Sequence, residues 1–230
     1  MRLPYQIGWA LLAIGIGLPA PAQAQQALNL TVGYFTVTGE DGRVDGDVLV
    51  ANRELLSFDI DDFNGPSFGA EWLIPFGEFL EFGAGVSYTS RTVPSIYTDF
   101  VDNDGREIEQ DLKLRIAPIT ATLRLLPFGR SRAVQPYIGG GIGFFNYHYS
   151  EVGDFVNFET DTVFRDSFVA SGTEPGPIIV AGIRLPVSDQ IAIGGEVRWQ
   201  DAKADLSEEF LGPALDLGGI HYLGTIRIRF

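Results

Sequence analysis

His148 and Ser150 are the pair in this chain whose types and spacing suit nucleophilic chemistry. Two residues apart on a strand, they project to the same side, so the imidazole can act as general base on the hydroxyl. Glu159 is the acid that could orient the histidine, although it falls in a stretch that reads as loop. With only one further histidine, His221, and no cysteine, a zinc site has little support. Asp102, Asp104 and Gly105 have the makings of a calcium loop. Aligning Gly105 with the invariant glycine of an EF-hand, however, puts Phe100 at the first ligand position, so that spacing fails. The remaining polar chemistry is ionic: Glu71, Glu81, Arg115, Arg184, Glu196, Arg198, Arg227 and Arg229 stand within otherwise apolar, alternating segments.

Those segments are strands. Stepping back by twos from Phe230 gives Ile228, Ile226, Gly224, Tyr222 and Ile220, while the interleaved set is Arg229, Arg227, Thr225, Leu223 and His221. Strict alternation over this length fits a β-strand with one apolar face. Three further stretches, residues 67–88, 112–149 and 177–199, each place a proline-led turn between two alternating runs, the pattern of a tight hairpin. An opening strand at 28–38 brings the expected total to eight. In the fourth strand Leu112, Leu114 and Ile116 read as outward, yet after Pro118 the apolar positions are Ile119, Ala121, Leu123 and Leu125. A shift of one residue predicts a β-bulge near Ala117 or Pro118.

Four longer polar stretches, residues 39–64, 91–110, 150–176 and 201–216, join the strands that the short turns do not. Short turns and long loops therefore alternate, which sends all the long loops to one end of a meander. Most of the 30 acidic residues fall in those loops, and the net charge of -14 belongs largely to that end. An acidic surface without a basic patch argues against a nucleic-acid partner. Ahead of the strands, Arg2, an apolar run over residues 7–18 and Ala22-Gln23-Ala24 have the form of a secretory signal peptide, with cleavage expected after Ala24. The apolar run is shorter than the ~20 residues of a spanning helix.

A chain exported in this way, with eight alternating segments and no long apolar helix, can cross a membrane only as a closed barrel, which satisfies every backbone polar group. The aromatic residues then divide into two girdles: Trp72, Phe76, Phe79 and Phe128 toward the short turns, and Tyr88, Phe145, Tyr147, Tyr149 and Trp199 toward the long loops. Charges that avoid lipid turn inward, where they should pair and fill a lumen that eight strands leave narrow.

The leader, the eight segments, the glycine-rich run 134–143 and the terminal Phe230 resemble the small OmpA/OmpX-type outer-membrane β-barrel family over essentially the whole mature chain. The resemblance implies an all-β, eight-stranded antiparallel up-and-down transmembrane β-barrel over residues 25–230, located in the cell outer membrane. It also implies an assembly signal at Phe230, with Tyr222 on the same face, read by the barrel assembly machinery. Within this setting His148-Tyr149-Ser150 is similar to the His-x-Ser element of the lipid A deacylase (PagL-type) barrels, which would make His148 the base and Ser150 the nucleophile. In that family the pair is followed by asparagine, whereas Glu151 follows here. The favoured expectation is a non-enzymatic barrel with a plugged polar lumen and acidic extracellular loops, acting structurally or through interactions at the cell surface. Its expected partners are outer-membrane lipid, lipopolysaccharide and divalent cations at the acidic loops, with no cofactor and no resident metal. The alternatives are the hydrolase and a small pore or carrier for an apolar compound.

Overall fold

The computed structural model describes residues 26–230 other than Asn103, Glu159 and Asp161. The expected signal peptide, residues 1–24, lies outside the described residues, as does Glu159. Eight strands form a ring: β1 (Ala27–Val37), β2 (Gly65–Phe76), β3 (Leu80–Val101), β4 (Glu107–Leu125), β5 (Gln135–Asn157), β6 (Thr162–Pro186), β7 (Ile191–Gln200) and β8 (Gly219–Arg229). Each pairs antiparallel with the next, and β8 returns to β1 from Ala27↔Arg229 to Val37↔Gly219. Closure pairs both sides of every strand within the ring, while residues 162–177 of β6 run on beyond its pairing with β7.

The outward side chains are apolar. Val32, Phe68, Val86, Ile119, Ile179 and Ile226 are all exposed, in a protein with no helix among the described residues long and apolar enough to cross a membrane. A soluble fold would bury such a belt. Trp72, Phe76, Phe79 and Phe128 edge it at the short turns. At the other end the edge is Tyr34, Phe68, Tyr88, Phe144, Trp199 and Tyr222, joined by the pairs Tyr34↔Tyr222 and Phe68↔Tyr88. Phe145, Tyr147 and Tyr149, expected in this girdle, point inward and are buried.

The strands come in two lengths. β1, β2, β7 and β8 have 10 to 12 residues, close to the ~9–11 that a tilted spanning strand needs. β3 to β6 have 19 to 25 and continue past the belt as a four-stranded wall. Two of the four expected loops thereby shrink to tips beyond Val101 and Asn157. The missed strand signal was Val93, Ser95 and Tyr97 turned inward between Thr92, Pro94 and Ile96. A polar Ser95 on the inner side and an apolar Ile96 on the outer side mask its alternation.

The expected bulge is absent. β4 pairs with β5 without interruption through Ala117↔Asn146 and Pro118↔Phe145, and its offset to β3 is the same at Thr89↔Ile116 and Val86↔Ile119. One parity runs the length of the strand, so Leu112, Leu114 and Ile116 face the lumen, not lipid.

Their partners come from the two remaining loops, which fold over the mouth. Residues 38–64 carry a short helix, α1 (Val48–Arg53), started by Asp47, whose carboxylate accepts from the Leu49 and Val50 amides. Residues 201–218 form a small hairpin from Lys203–Asp205 and Ala214–Asp216. Val48, Leu49 and Phe63 from the first loop and Phe210, Leu215 and Leu217 from the second pack with Phe35, Leu112, Ile116, Phe145 and Tyr149 in one apolar core. The two loops thereby place an apolar core across the mouth of the barrel.

Candidate functional site

Below the cap the lumen turns ionic. The inward parity of β2, β3, β4, β6, β7 and β8 aims Glu71, Glu81, Arg124, Arg184, Glu196, Arg198 and Arg227 at the axis, all of them buried. They form two linked groups. In one, Arg124 Nη2 lies 2.5 Å from Glu71 Oε2 and 2.9 Å from Glu196 Oε2, and Arg198 Nη2 lies 2.7 Å from Glu196 Oε1. In the other, Arg184 Nη2 and Arg227 Nη2 lie 2.9 Å and 2.7 Å from the two oxygens of Glu81. Tyr137 joins them: its hydroxyl donates to Glu196 Oε2 at 2.9 Å, and its ring has the guanidinium carbons of Arg124 and Arg184 at 5.0 and 5.1 Å. Thr122 Oγ1 donates to Glu71 Oε1 at 3.1 Å.

Two glycines make room for this arrangement. A Cβ at Gly83 would lie 2.3 Å from Glu71 Oε1, and one at Gly182 would lie 2.5 Å from the Tyr137 ring. Both are distances that no packed side chain tolerates, so these positions exclude any larger residue while the ions and the ring stay where they are.

Of the eight charges expected in the lumen, Glu71, Glu81, Arg184, Glu196, Arg198 and Arg227 are brought together here. Arg229 shares their parity near the short turns but makes no salt bridge among the described residues. Arg115 does not belong: it has the outward parity of Ile119 and Leu123. A lipid-facing Leu112, Leu114 and Ile116 would put Arg115 inside, and the observed parity of β4 reverses all four. Arg124 was overlooked. Its signal was available in the sequence, since it stands between the outward Leu123 and Leu125.

His148 and Ser150 share the outward parity of Phe144 on the wall just beyond that girdle, His148 half-buried and Ser150 buried. Arg115 pairs with His148 and Lys113 with Ser150 across β4 and β5, so this outer patch is cationic. The imidazole engages a different serine: His148 Nδ1 is 2.8 Å from Ser171 Oγ on β6. Among the described residues no carboxylate hydrogen-bonds to His148. His221 is buried in the lumen, with Ser67 Oγ 2.9 Å from its Nδ1 and Gln200 Oε1 3.0 Å from its Nε2. Because the Gln200 amide donates to the Leu217 carbonyl at 2.9 Å, its oxygen is free to accept from Nε2, and Nδ1 accepts from Ser67.

The two loops of the cap are tied by a second buried cluster. Arg43 Nε is 2.7 Å from Asp47 Oδ1, and Arg43 Nη2 donates to the Asp216 carbonyl at 3.0 Å. The Asp216 amide donates to Asp47 Oδ2 at 2.7 Å, and its carboxylate accepts from the Gly218 and Val44 amides. α1 is fastened to the wall where Asn52 Nδ2 donates to Glu151 Oε1 at 2.6 Å. In the Asp102 loop, Asp102 Oδ1 accepts from the Asp104 and Arg106 amides between β3 and β4. Among the described residues no group of three His, Asp or Glu side chains is set to hold a metal ion.

The fold is a small eight-stranded β-barrel with its apolar face outward. No protein-family model matches the chain, and no curated protein matches it. Among solved structures it is similar to Neisserial surface protein A (11% identity over 90% of this chain and 98% of that one, TM-score 0.48). It is also similar to Ail, the attachment invasion locus protein of Yersinia pestis (12%, 90% and 100%, TM-score 0.42). A third similar structure is the N-terminal β-barrel domain of Pseudomonas aeruginosa OprF (10%, 89% and 97%, TM-score 0.41).

Proposed function

We propose that this protein is a non-enzymatic barrel of the outer membrane whose lumen is sealed and whose cap works at the cell surface. The observation that carries the reading is the stacking of two seals: the buried Arg–Glu network across the lower lumen, and the apolar core of the cap above it. An eight-stranded barrel has room for little besides its own side chains. Ions crossing it would have to displace guanidinium–carboxylate pairs and then part an apolar core. Refolded protein in planar lipid bilayers should give no steady single-channel conductance. Regular openings would make the lumen a pore and refute the seal.

The exposed belt between the girdles supports placement in a bilayer, with β3 to β6 rising on the outside. Lys113 and Arg115 then stand just above the outer girdle, at the depth of lipid head groups, and contact the phosphates of lipopolysaccharide. Divalent cations at the acidic loops belong to the same proposal as further bridges to those phosphates. Phe230, which packs edge-on against Trp72 at 5.1 Å between ring centres, and Tyr222 both face lipid, as an assembly signal requires. Deleting Phe230 should lower the yield of barrel that shifts on a gel when heated. The expected leader, residues 1–24, belongs to the same proposal. A hydrolase at His148 and Ser150 lacks support from geometry, since the imidazole is committed to Ser171 and its charged neighbours are cations.

A further inference from the structure

Between the top of the wall and the cap lies a cavity of about 220 Å³. Tyr97, Phe155, Phe164 and Phe168 line it, with Leu211 of the second loop at its rim. The rings are set against each other, Phe155 edge-on to Phe168 at 4.9 Å and stacked on Phe164 at 5.9 Å, so aromatic surface faces the space. Into this apolar pocket comes Glu151, which is 4% exposed. Both of its hydrogen bonds, from Asn52 Nδ2 at 2.6 Å and Tyr149 OH at 2.8 Å, fall on Oε1. No lysine, arginine or histidine among the described residues forms an ion pair with it. The other acid lining the cavity, Glu209, adds charge of the same sign.

A buried carboxylate normally has a cation beside it, because the cost of removing it from water is otherwise uncompensated. In the lower lumen this protein follows that rule at Glu71, Glu81 and Glu196. At Glu151 the protein supplies hydrogen bonds on one oxygen and aromatic rings around it, but no positive charge. Aromatic faces and a carboxylate attract the same kind of ligand, a cation with an apolar body, and both repel an anion. We infer that the pocket beneath the cap takes a small amphipathic amine or quaternary ammonium compound, its charged group at Glu151 and its apolar part among Phe155, Phe164 and Phe168. The inference rests on the reading of the cap as a surface-facing structure, but binding in micelles does not depend on whether the lumen conducts.

The test is calorimetric titration of the folded barrel in maltoside micelles, which carry no ammonium group, with blank micelles subtracted. Hexyltrimethylammonium is the probe, and hexyl sulfate and 1-hexanol are its anionic and neutral matches. The ammonium compound should bind saturably, with the two others weaker by on the order of tenfold or more. Glu151→Gln keeps an oxygen for Asn52 and Tyr149 and should lose about the same factor. If that variant fails to yield a heat-shifting barrel, Phe164→Ala on the exposed rim carries the comparison and should also weaken binding. Equal affinity for hexanol, unchanged affinity in the variant that folds, or no binding by the folded wild type would each overturn the assignment.

Discussion

Replacing Arg124 by methionine isolates the electrostatic part of the seal. The side chain is fully buried and its Nη2 bridges Glu71 and Glu196, while Nε and Nη1 make no hydrogen bond. Without it Glu196 keeps Arg198 at 2.7 Å and the Tyr137 hydroxyl at 2.9 Å. Glu71 keeps only Thr122 Oγ1. The expected loss is therefore that of one stranded carboxylate, about 3 to 5 kcal/mol. Methionine fills much of the vacated volume, so the cavity contribution is smaller than for alanine. The assay is equilibrium unfolding in urea with the barrel in lipid vesicles, followed by the heat-dependent gel shift. Adding Glu71→Gln to Arg124→Met should recover most of the loss, because an amide can stay with Thr122 at no ionic cost. A single-variant loss below about 1 kcal/mol, the range of exposed pairs, or a double variant as unstable as the single one, would refute the reasoning.

Gly83→Ala should destabilise the barrel by about 1 to 3 kcal/mol in the same unfolding assay, since its Cβ must displace the Glu71 carboxylate, and little further loss is expected when Arg124 is already absent. In the cap, burial, with Asp47 beside it, holds the Asp216 carboxyl above the usual carboxylate range despite the Gly218 amide and Arg43. A carboxyl raised in the folded state contributes stability that is complete below its unfolded pKa, about 4, and lost as pH rises through the higher folded value. Hydrogen exchange at the Val44 and Gly218 amides, corrected for intrinsic rates, should show the cap opening more readily at pH 7 than at pH 4, and Asp216→Asn should flatten that difference. Reversing the outer cationic patch with Lys113→Glu and Arg115→Glu should lower the lipopolysaccharide that copurifies with the barrel while leaving its heat shift unchanged; unaltered copurification would remove the patch from lipid contact.

The barrel was legible because its information is local. Alternation such as Ile191, Ile193, Val197 and Trp199 against Ala192, Glu196 and Arg198 fixes strand and face together, and the alternation of short and long connections fixes the ends. The upper lumen was not legible, because an inward apolar residue and a lipid-facing one look alike. Leu112, Leu114 and Ile116 face inward only because α1 and the Phe210 loop come down to cover them, and nothing local to β4 records that contact. That single ambiguity produced the unneeded bulge at Pro118 and the misplaced Arg115. The ionic network was half visible: parity selects its members, but the pairing of Arg124 with both Glu71 and Glu196 joins three strands and depends on the ring's closure. Glu151 gave no signal at all, since an acid in an acidic stretch reads as solvated until Asn52 and the phenylalanines are seen around it.

The membrane barrel requires the apolar belt to lie in lipid, and the segment of residues 25–230 carries its own probes of that. Its tryptophans, Trp72 and Trp199, stand exposed at opposite girdles, 41% and 38% accessible. Refolded into vesicles of lipids brominated at shallow or at deep acyl positions, single-tryptophan variants Trp72→Phe and Trp199→Phe should both be quenched, and more strongly by shallow than by deep bromines. Fluorescence untouched by bromine at either depth would mean that the belt is covered by protein, and would contradict the membrane barrel outright.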